Sequence, residues 1–151
     1  HSDKSFLNER KLKKDLKNEK KLIKKVSLFQ KKIDKWQVAK KDYFKNLSKK
    51  FGQIPAKAFP GRASILINLL NLSNKNISSV YEKDMSLKVN KYIPGTNIKI
   101  VKEKFFNDKE RNKRKIINLA WHISGEIRSY LKKKMNYNGR VIDIISSKDF
   151  T

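Results

Sequence analysis

The stretch "AFPGRAS", residues 58–64, places a glycine, an arginine and a serine between a predicted strand and a predicted helix. The first backbone N–H groups of a helix lack partners within the helix and attract anions, and a nearby arginine adds a forked donor for phosphate. Gly61, Arg62 and Ser64 therefore predict a phosphate site after the first strand. In the alternative interpretation, Gly61 only makes the turn and Ser64 satisfies the helix end. These residues alone favour neither interpretation.

Two further polar residues come at the ends of later predicted strands. Glu82 ends the second strand, where an acidic residue commonly accepts hydrogen bonds from ribose hydroxyls, although a solvated glutamate before a loop fits equally well. His122 follows Trp121 after the fourth strand. It is the one histidine inside the chain and has no acidic partner nearby in sequence. We therefore interpret it as a polar lining residue and not as a base or metal ligand.

The glycine and cysteine content argues against several cofactors and catalytic groups. The five glycines never fall in a G-x-G spacing, so the loop that usually holds NAD or S-adenosylmethionine is missing. The sequence has no cysteine, which excludes a thiolate zinc site and a disulfide framework and favours a cytoplasmic location. The sequence order also gives no Ser-His-Asp, Cys-His or metal-binding constellation. We therefore expect no cofactor in this chain.

The net charge of +24 indicates attraction to anions, including nucleic acid. Only six of the 38 basic residues are arginine, the residue best suited to bidentate phosphate recognition. Scattered lysines mostly solvate a surface. A basic module that binds nucleic acid or another anionic surface is therefore an alternative function, with no sequence specificity expected. No apolar run reaches the roughly 18 residues that a membrane span requires.

The first third of the sequence predicts a long amphipathic helix that stops near Gly52. Its apolar positions follow 4,3 spacing, interrupted at Lys40, with weaker upstream positions at Leu12 and Leu16. The regular positions are Leu22, Val26, Phe29, Ile33, Trp36, Tyr43, Leu47 and Phe51. In one interpretation the aromatic half packs against the following domain. In the other, the helix pairs two chains in a homodimer, or more generally acts as an oligomerisation element.

After Gly52 short apolar runs alternate with segments of helical length. We predict strands at 54–59, 77–82, 97–101, 115–121 and 140–145, and helices at 62–72, within 103–113 and at 124–135. Strands that alternate with helices pair in parallel through right-handed crossovers. The predicted fold class is therefore α/β, a small Rossmann-like parallel sheet with a long N-terminal amphipathic helix. The predicted domains are a charged helical segment, 1–52, and the sheet domain, 53–151.

Four separated blocks of sequence resemble one known family. They are "FPGRASILINLLNL", "ISSVYEKDMSLKVNKYIPGTNIKI", "INLAWHISGEI" and "NGRVIDII", in that order. Their order and motifs resemble the C-terminal domain of the sugar C-methyltransferases, which methylate nucleotide-linked keto-deoxysugars. The resemblance covers residues 29–150. The positions that carry it are Asn68, Lys88, Tyr92, Pro94, Gly95, Thr96, Ala120, Trp121, Glu126 and Gly139.

The resemblance implies that this chain is the sugar-nucleotide binding part of a larger enzyme, itself without the methyl-donor site. In the family an N-terminal zinc-binding part and a central S-adenosylmethionine domain come first, so we expect zinc and S-adenosylmethionine only in such upstream domains. The sequence begins His1-Ser2-Asp3 without an initiator Met, so we expect a piece of a longer chain. The implied partners are the nucleotide-sugar substrate and the upstream methyltransferase domain.

The resemblance and the strand ends together give a set of predicted substrate-binding residues. The loop "YIPGT" is interpreted as a substrate-side loop of the domain. Three departures from the family pattern affect this set: Glu82 replaces Asp, Asp84-Met85 replaces Asn-Pro, and His122 replaces Asn. The full set is Pro60, Gly61, Arg62, Ser64, Asn68, Glu82, Lys88, Tyr92, Pro94, Gly95, Thr96, Trp121 and His122.

Overall fold

The computed structural model describes the backbone of residues 2–151 and the side chains of residues 8–151. Contacts divide the chain into two compact units, His1–Trp36 and Gln37–Thr151. The predicted domain boundary between residues 52 and 53 is a different division, and it stays a prediction. His1, the first residue of the predicted segment 1–52, lies outside the described residues. None of the described helices combines the length and apolar character needed to cross a membrane.

The N-terminal helix α1, Ser2–Phe51, confirms the predicted long helix. Its sequence contains no proline or glycine, so nothing in the backbone interrupts the hydrogen-bond ladder. It ends at Gly52, whose φ of 72° is the left-handed conformation that glycine adopts most readily after a helix. Within the first unit the apolar side chains Leu22, Val26 and Phe29 are exposed.

The second unit contains a five-stranded, all-parallel sheet, which confirms the predicted fold class. The strands are β1 Ile54–Lys57, β2 Ile77–Glu82, β3 Ile100–Lys102, β4 Lys115–Asn118 and β5 Arg140–Asp143. The helices are α2 Ala63–Leu69, α3 Asp108–Arg111 and α4 Ser124–Lys134. The strand order is β3-β2-β1-β4-β5. Ala56 of the central strand β1 pairs with Val80 of β2 on one side and with Ile117 of β4 on the other.

Several predicted boundaries were too long at the carboxyl ends, for identifiable reasons. The first strand was predicted to reach residue 59 but ends at Lys57, because Ala58 has a φ of 61° and leaves the extended region. The fourth strand was predicted to reach residue 121 but ends at Asn118, whose side chain accepts from the Ala120 amide at 2.9 Å. The fifth strand likewise ends at Asp143 and not at residue 145.

Two other elements differ from their predictions. The third strand was predicted at 97–101 and lies at Ile100–Lys102, because the chain before it folds back as a hairpin in which the Ile93 amide donates to the Ile98 carbonyl at 3.0 Å. The helix predicted within 103–113 is a 3-10 turn, Glu103–Phe105, followed by the single-turn α3. The buried Phe106 and the Asn107 cap at the start of α3 separate the two.

One apolar layer covers the face of the sheet on which α4 lies. Tyr81 and Phe106 meet edge to face with ring centroids 5.0 Å apart, and Phe106 meets Tyr137 at 6.1 Å. Edge-to-face packing of aromatic rings contributes beyond the area it buries. The residues of this layer are Tyr81, Phe106, Ile116, Ala120, Ile127, Leu131, Met135 and Tyr137.

The last turns of α1 belong to the second unit and are fixed to it by both apolar and polar contacts. Phe44 and Leu47 are buried. Lys40, which interrupts the apolar spacing, forms an ion pair with Asp149 at 2.9 Å, and Ser48 accepts from the Asn76 side chain at 2.8 Å. The interpretation that the aromatic half of the helix packs against the following domain therefore holds for the part of α1 after Trp36.

Replacing Phe44 by alanine should lower the free energy of unfolding by about 3–5 kcal/mol, because a large side chain that is 1% exposed leaves a cavity. Phe29→Ala is the matched control, since this side chain is 61% exposed on the same helix and should cost under about 1 kcal/mol. Urea unfolding of both variants measures the difference. Equal losses would contradict the assigned packing.

Candidate functional site

The strand order reverses between β1 and β4, so the chain leaves these two neighbouring strands in opposite directions. The loop 58–62 follows β1 and turns toward α2 and β2, whereas the loop 119–123 follows β4 and turns toward α4 and β5. In open parallel sheets a crevice forms at this point, beyond the ends of the strands, and ligands bind there. We call the space between these two loops the carboxyl-edge crevice.

Arg62 and Trp121 face each other across the carboxyl-edge crevice. The guanidinium carbon of Arg62 lies 5.4 Å from the centroid of the Trp121 ring, a cation–π contact. This contact does not consume the N–H groups of the guanidinium, which can still donate hydrogen bonds. His122 is exposed beside Trp121, with the two rings edge to face at 5.8 Å. Sequence reasoning selected all three residues but did not predict that Arg62 and Trp121 touch.

The loop after β1 is held in place by two of the predicted site residues. One Glu82 carboxylate oxygen, Oε1, accepts a hydrogen bond from the Phe59 amide. The Lys88 ammonium donates to the Phe59 carbonyl at 2.5 Å. Both polar groups of Phe59 thus have charged partners, and these charge-assisted bonds are stronger than neutral ones. Glu82 and Lys88 therefore position the loop that carries Arg62.

The start of α2 offers fewer free amides than its sequence suggests. The Ala63 amide donates to the Pro60 carbonyl at 2.8 Å and the Ser64 amide donates to the Gly61 carbonyl at 3.2 Å. The Ser64 hydroxyl also donates to Gly61, at 2.8 Å. Because these groups form hydrogen bonds within the turn, the Arg62 guanidinium is the main hydrogen-bond donor that the turn offers to an anion.

A polar network that sequence reasoning missed fixes the other loop of the crevice. The fully buried Asn118 accepts from the Ala120 amide and donates to the Asp143 carboxylate at 2.7 Å. Asp143 also accepts from Ser124 at 2.8 Å and from Arg128 at 2.9 Å. Asn118 and Asp143 were visible in the sequence as single polar residues inside apolar runs. The network fixes the path of the chain through Trp121 and His122.

A second missed cluster lies where β1 and β3 end. Lys57, which is 3% exposed, donates to Glu103 at 2.5 Å and to the Tyr81 carbonyl at 3.3 Å. Tyr130 of α4 donates to the other oxygen of Glu103. The hydrogen bond to Glu103, followed by burial, raises the pKa of Tyr130 to about 12. Lys57 and Glu103 thus satisfy each other in a place where an unpaired charge would be costly.

The remaining predicted residues lie together at a different place. The Asn68 amide donates to the Pro94 carbonyl at 2.9 Å, and a Cβ at Gly95 would lie 2.5 Å from the Asn68 oxygen. Thr96 shapes the same turn by donating to the Ile93 carbonyl at 2.9 Å. Tyr92 is exposed and forms an isolated bridge with Lys99. These residues therefore build a tight hairpin against α2.

This hairpin turns at the edge of the sheet where the strands begin. The Asn97 side chain accepts from the Asn74 amide at 3.2 Å, and the Asn74 carbonyl accepts from Gln53, which directly precedes β1. A polar cavity of about 470 Å³ is lined there by Asn68, Asn71, Leu72, Ser73, Gly95, Thr96 and Asn97. The predicted substrate-binding set thus divides into a carboxyl-edge group around Arg62 and a group around the 94–96 turn. One small ligand in the crevice would contact only the first group.

The first loop of the crevice lacks the glycine pattern of the loops that often hold cofactors in parallel sheets of this kind. This loop has one glycine, flanked by Pro60 and Arg62, where a close approach of a cofactor to the backbone requires several glycines. That this chain itself holds neither S-adenosylmethionine nor NAD stays a prediction. Among the residues with described side chains, no group of three His, Asp or Glu residues could hold a metal ion.

The comparisons with known proteins identify one family. A family model described as the C-methyltransferase C-terminal domain matches residues 2–145. The match confirms the resemblance seen in the four sequence blocks. No curated protein matches the chain.

Gly95→Ala should lower the free energy of unfolding by about 1–3 kcal/mol. Residue 95 has a φ of 76°, and its Cβ would collide with the hydrogen-bonded Asn68 amide. Gly125→Ala is the matched control, because Gly125 lies in α4 with nothing within 4 Å of the added Cβ. Alanine there should be neutral or stabilise by up to about 1 kcal/mol. Thermal unfolding compares the two, and a stable Gly95→Ala variant would contradict the described hairpin.

Proposed function

The chain belongs to the C-methyltransferase C-terminal domain family, and on this basis we propose that its carboxyl-edge crevice binds the diphosphate and sugar of a nucleotide-linked sugar. The contact between Arg62 and Trp121 is the observation that carries the proposal. It places a forked cation and an aromatic ring on the two loops of the crevice. The cation suits a diphosphate, and a sugar or base packs well on the aromatic ring.

In this proposal each residue of the crevice has a distinct role. Arg62 keeps its contact with Trp121 and donates its N–H groups to the diphosphate. His122, which is exposed, lines the sugar side and donates to a hydroxyl. Glu82 and Lys88 act through Phe59 by holding the loop, so they are positioning residues. The free oxygen of Glu82 also accepts from a ribose hydroxyl when the substrate is bound.

The proposed contribution to methyl transfer is binding and orientation. Another domain of the enzyme would hold S-adenosylmethionine, supply zinc binding and remove the proton from the carbon that is methylated. Fixing the substrate against a separate reacting group lowers the entropic part of the barrier. The chain by itself supplies one side of such a site, so its affinity for substrate should be modest.

A second proposed function is self-association through the first part of α1. Three consecutive positions of its heptad spacing, Leu22, Val26 and Phe29, are 62%, 58% and 61% exposed. An apolar stripe of this kind is what one helix presents to another. The many lysines beside the stripe oppose pairing of two identical helices, so this function ranks below substrate binding.

Arg62→Ala should weaken binding of a nucleoside diphosphate sugar by about 1.5–3 kcal/mol, which is roughly 10-fold to 150-fold, through loss of a charge-assisted contact to phosphate. Isothermal titration at physiological salt measures it, and Arg62→Lys should recover only part of the affinity because lysine lacks the fork. Lys75→Ala is the matched control, since Lys75 lies in the exposed turn that precedes β2. If Lys75→Ala weakens binding as much as Arg62→Ala, diffuse charge and not the crevice binds the ligand.

A further inference from the structure

A second concave surface lies at the amino edge of the sheet, where β4 and β5 begin. It has a volume of about 620 Å³, within the range of small-molecule sites. Three of its lining side chains are amides, from Asn112, Asn136 and Asn138, and three are cations, from Arg111, Lys113 and Arg114. We call it the amino-edge cavity. It lies at the opposite edge of the sheet from the carboxyl-edge crevice, so it is a separate feature.

The charge around the amino-edge cavity is unbalanced. Asp108 also lines it, and it pairs with Arg111 at 2.8 Å. Among the described side chains no carboxylate forms an ion pair with Lys113 or Arg114, and Lys113 donates a long hydrogen bond of 3.4 Å to a backbone carbonyl. Directly beside them, Lys115 pairs in register with Arg140 across β4 and β5. Like charges on adjacent strands repel, and a bound anion would offset that repulsion.

A buried hydroxyl lies next to one of the residues that line the cavity. Tyr137 is 2% exposed, and its hydroxyl has no hydrogen-bond partner among the described residues. Leaving a buried hydroxyl unsatisfied costs free energy, and such groups are rare in folded proteins. The hydroxyl lies beside Gly139, which lines the cavity, and a Cβ at that position would collide with it. The absence of a side chain at Gly139 therefore leaves room for the hydroxyl behind this lining residue, and burial keeps the hydroxyl neutral by raising its pKa.

We propose that the amino-edge cavity binds a phosphorylated, hydroxyl-rich small molecule of the sugar phosphate or mononucleotide class. The phosphate lies between Lys113 and Arg114, where a dianion meets two cations that form no ion pair with any carboxylate among the described side chains. The asparagine amides, which both donate and accept, contact the sugar hydroxyls. The Tyr137 hydroxyl donates to a ligand oxygen and so gains the partner it lacks. The Arg111 side chain contacts Asp108 and donates to the Met135 carbonyl at 3.1 Å, and it lines the same cavity.

Isothermal titration of the whole chain with inorganic phosphate, a pentose phosphate and a nucleoside monophosphate tests the proposal. At physiological salt the sugar-bearing ligands should bind more tightly than inorganic phosphate, because only they reach the amides. Arg114→Gln should weaken pentose phosphate binding about tenfold or more. Tyr137→Phe should weaken it about threefold to tenfold while leaving the unfolding midpoint unchanged or higher.

Two matched variants separate a built site from diffuse charge. Lys13→Gln removes one positive charge from an exposed position of α1, and Tyr43→Phe removes an exposed hydroxyl from the same helix. Both should bind the pentose phosphate as the parent does. Comparing the affinities of the two sugar-bearing ligands distinguishes the two ligand classes. If the nucleoside monophosphate binds more tightly than the pentose phosphate, the ligand is a nucleotide. If the two bind equally, the ligand is a sugar phosphate. The proposal is overturned if no phosphorylated ligand binds, if Tyr137→Phe binds unchanged, or if Lys13→Gln loses as much affinity as Arg114→Gln.

Discussion

The reversal of strand order between β1 and β4 is the constraint on which the arrangement of the second unit depends. The chain continues from β1 toward β2 and from β4 toward β5, on opposite sides of the sheet, so the loops that follow these two strands diverge. Every group proposed to bind substrate lies on one of those loops or holds one in place. The divergence alone would leave two mobile loops. The charged partners of Phe59 hold the first, and the hydrogen bonds of Asn118 and Asp143 hold the second. The contact between Arg62 and Trp121 exists because both loops are fixed independently.

Polar residues at the ends of the strands hold the loops in place. Removing these polar groups from water costs free energy, and their hydrogen-bond partners offset that cost. Lys57, Asn118 and Asp143 each stand at the last position of a strand. A charge or amide removed from water must find partners in the fold, and each of these residues has at least two. Their placement at the carboxyl ends keeps the apolar interior of the sheet intact. It also concentrates the hydrogen bonds at the edge where the crevice forms.

The sequence predicts the parts of this fold that depend on local pattern. The spacing of apolar residues and the absence of glycine and proline define α1. Short apolar runs that alternate with segments of helical length define the parallel sheet. The strand Ile77–Glu82 has the predicted bounds. The placement of the 94–96 turn could not be predicted, because it depends on a contact between Asn68 and Pro94, which are 26 residues apart. The use of Glu82 to hold Phe59 likewise arises from pairing of β1 with β2, whereas the sequence shows only an acidic residue at a strand end.

The central proposal is that the nucleotide-sugar site of this domain is the carboxyl-edge crevice and excludes the 94–96 turn. Chemical-shift mapping of the isotopically labelled chain during titration with a nucleoside diphosphate sugar tests it most directly. The account predicts that the shifted amides fall in 58–64 and 119–123, with little change at 94–97 or in the first unit. Shifts centred on 94–97, or spread along the lysine-rich part of α1, would contradict it.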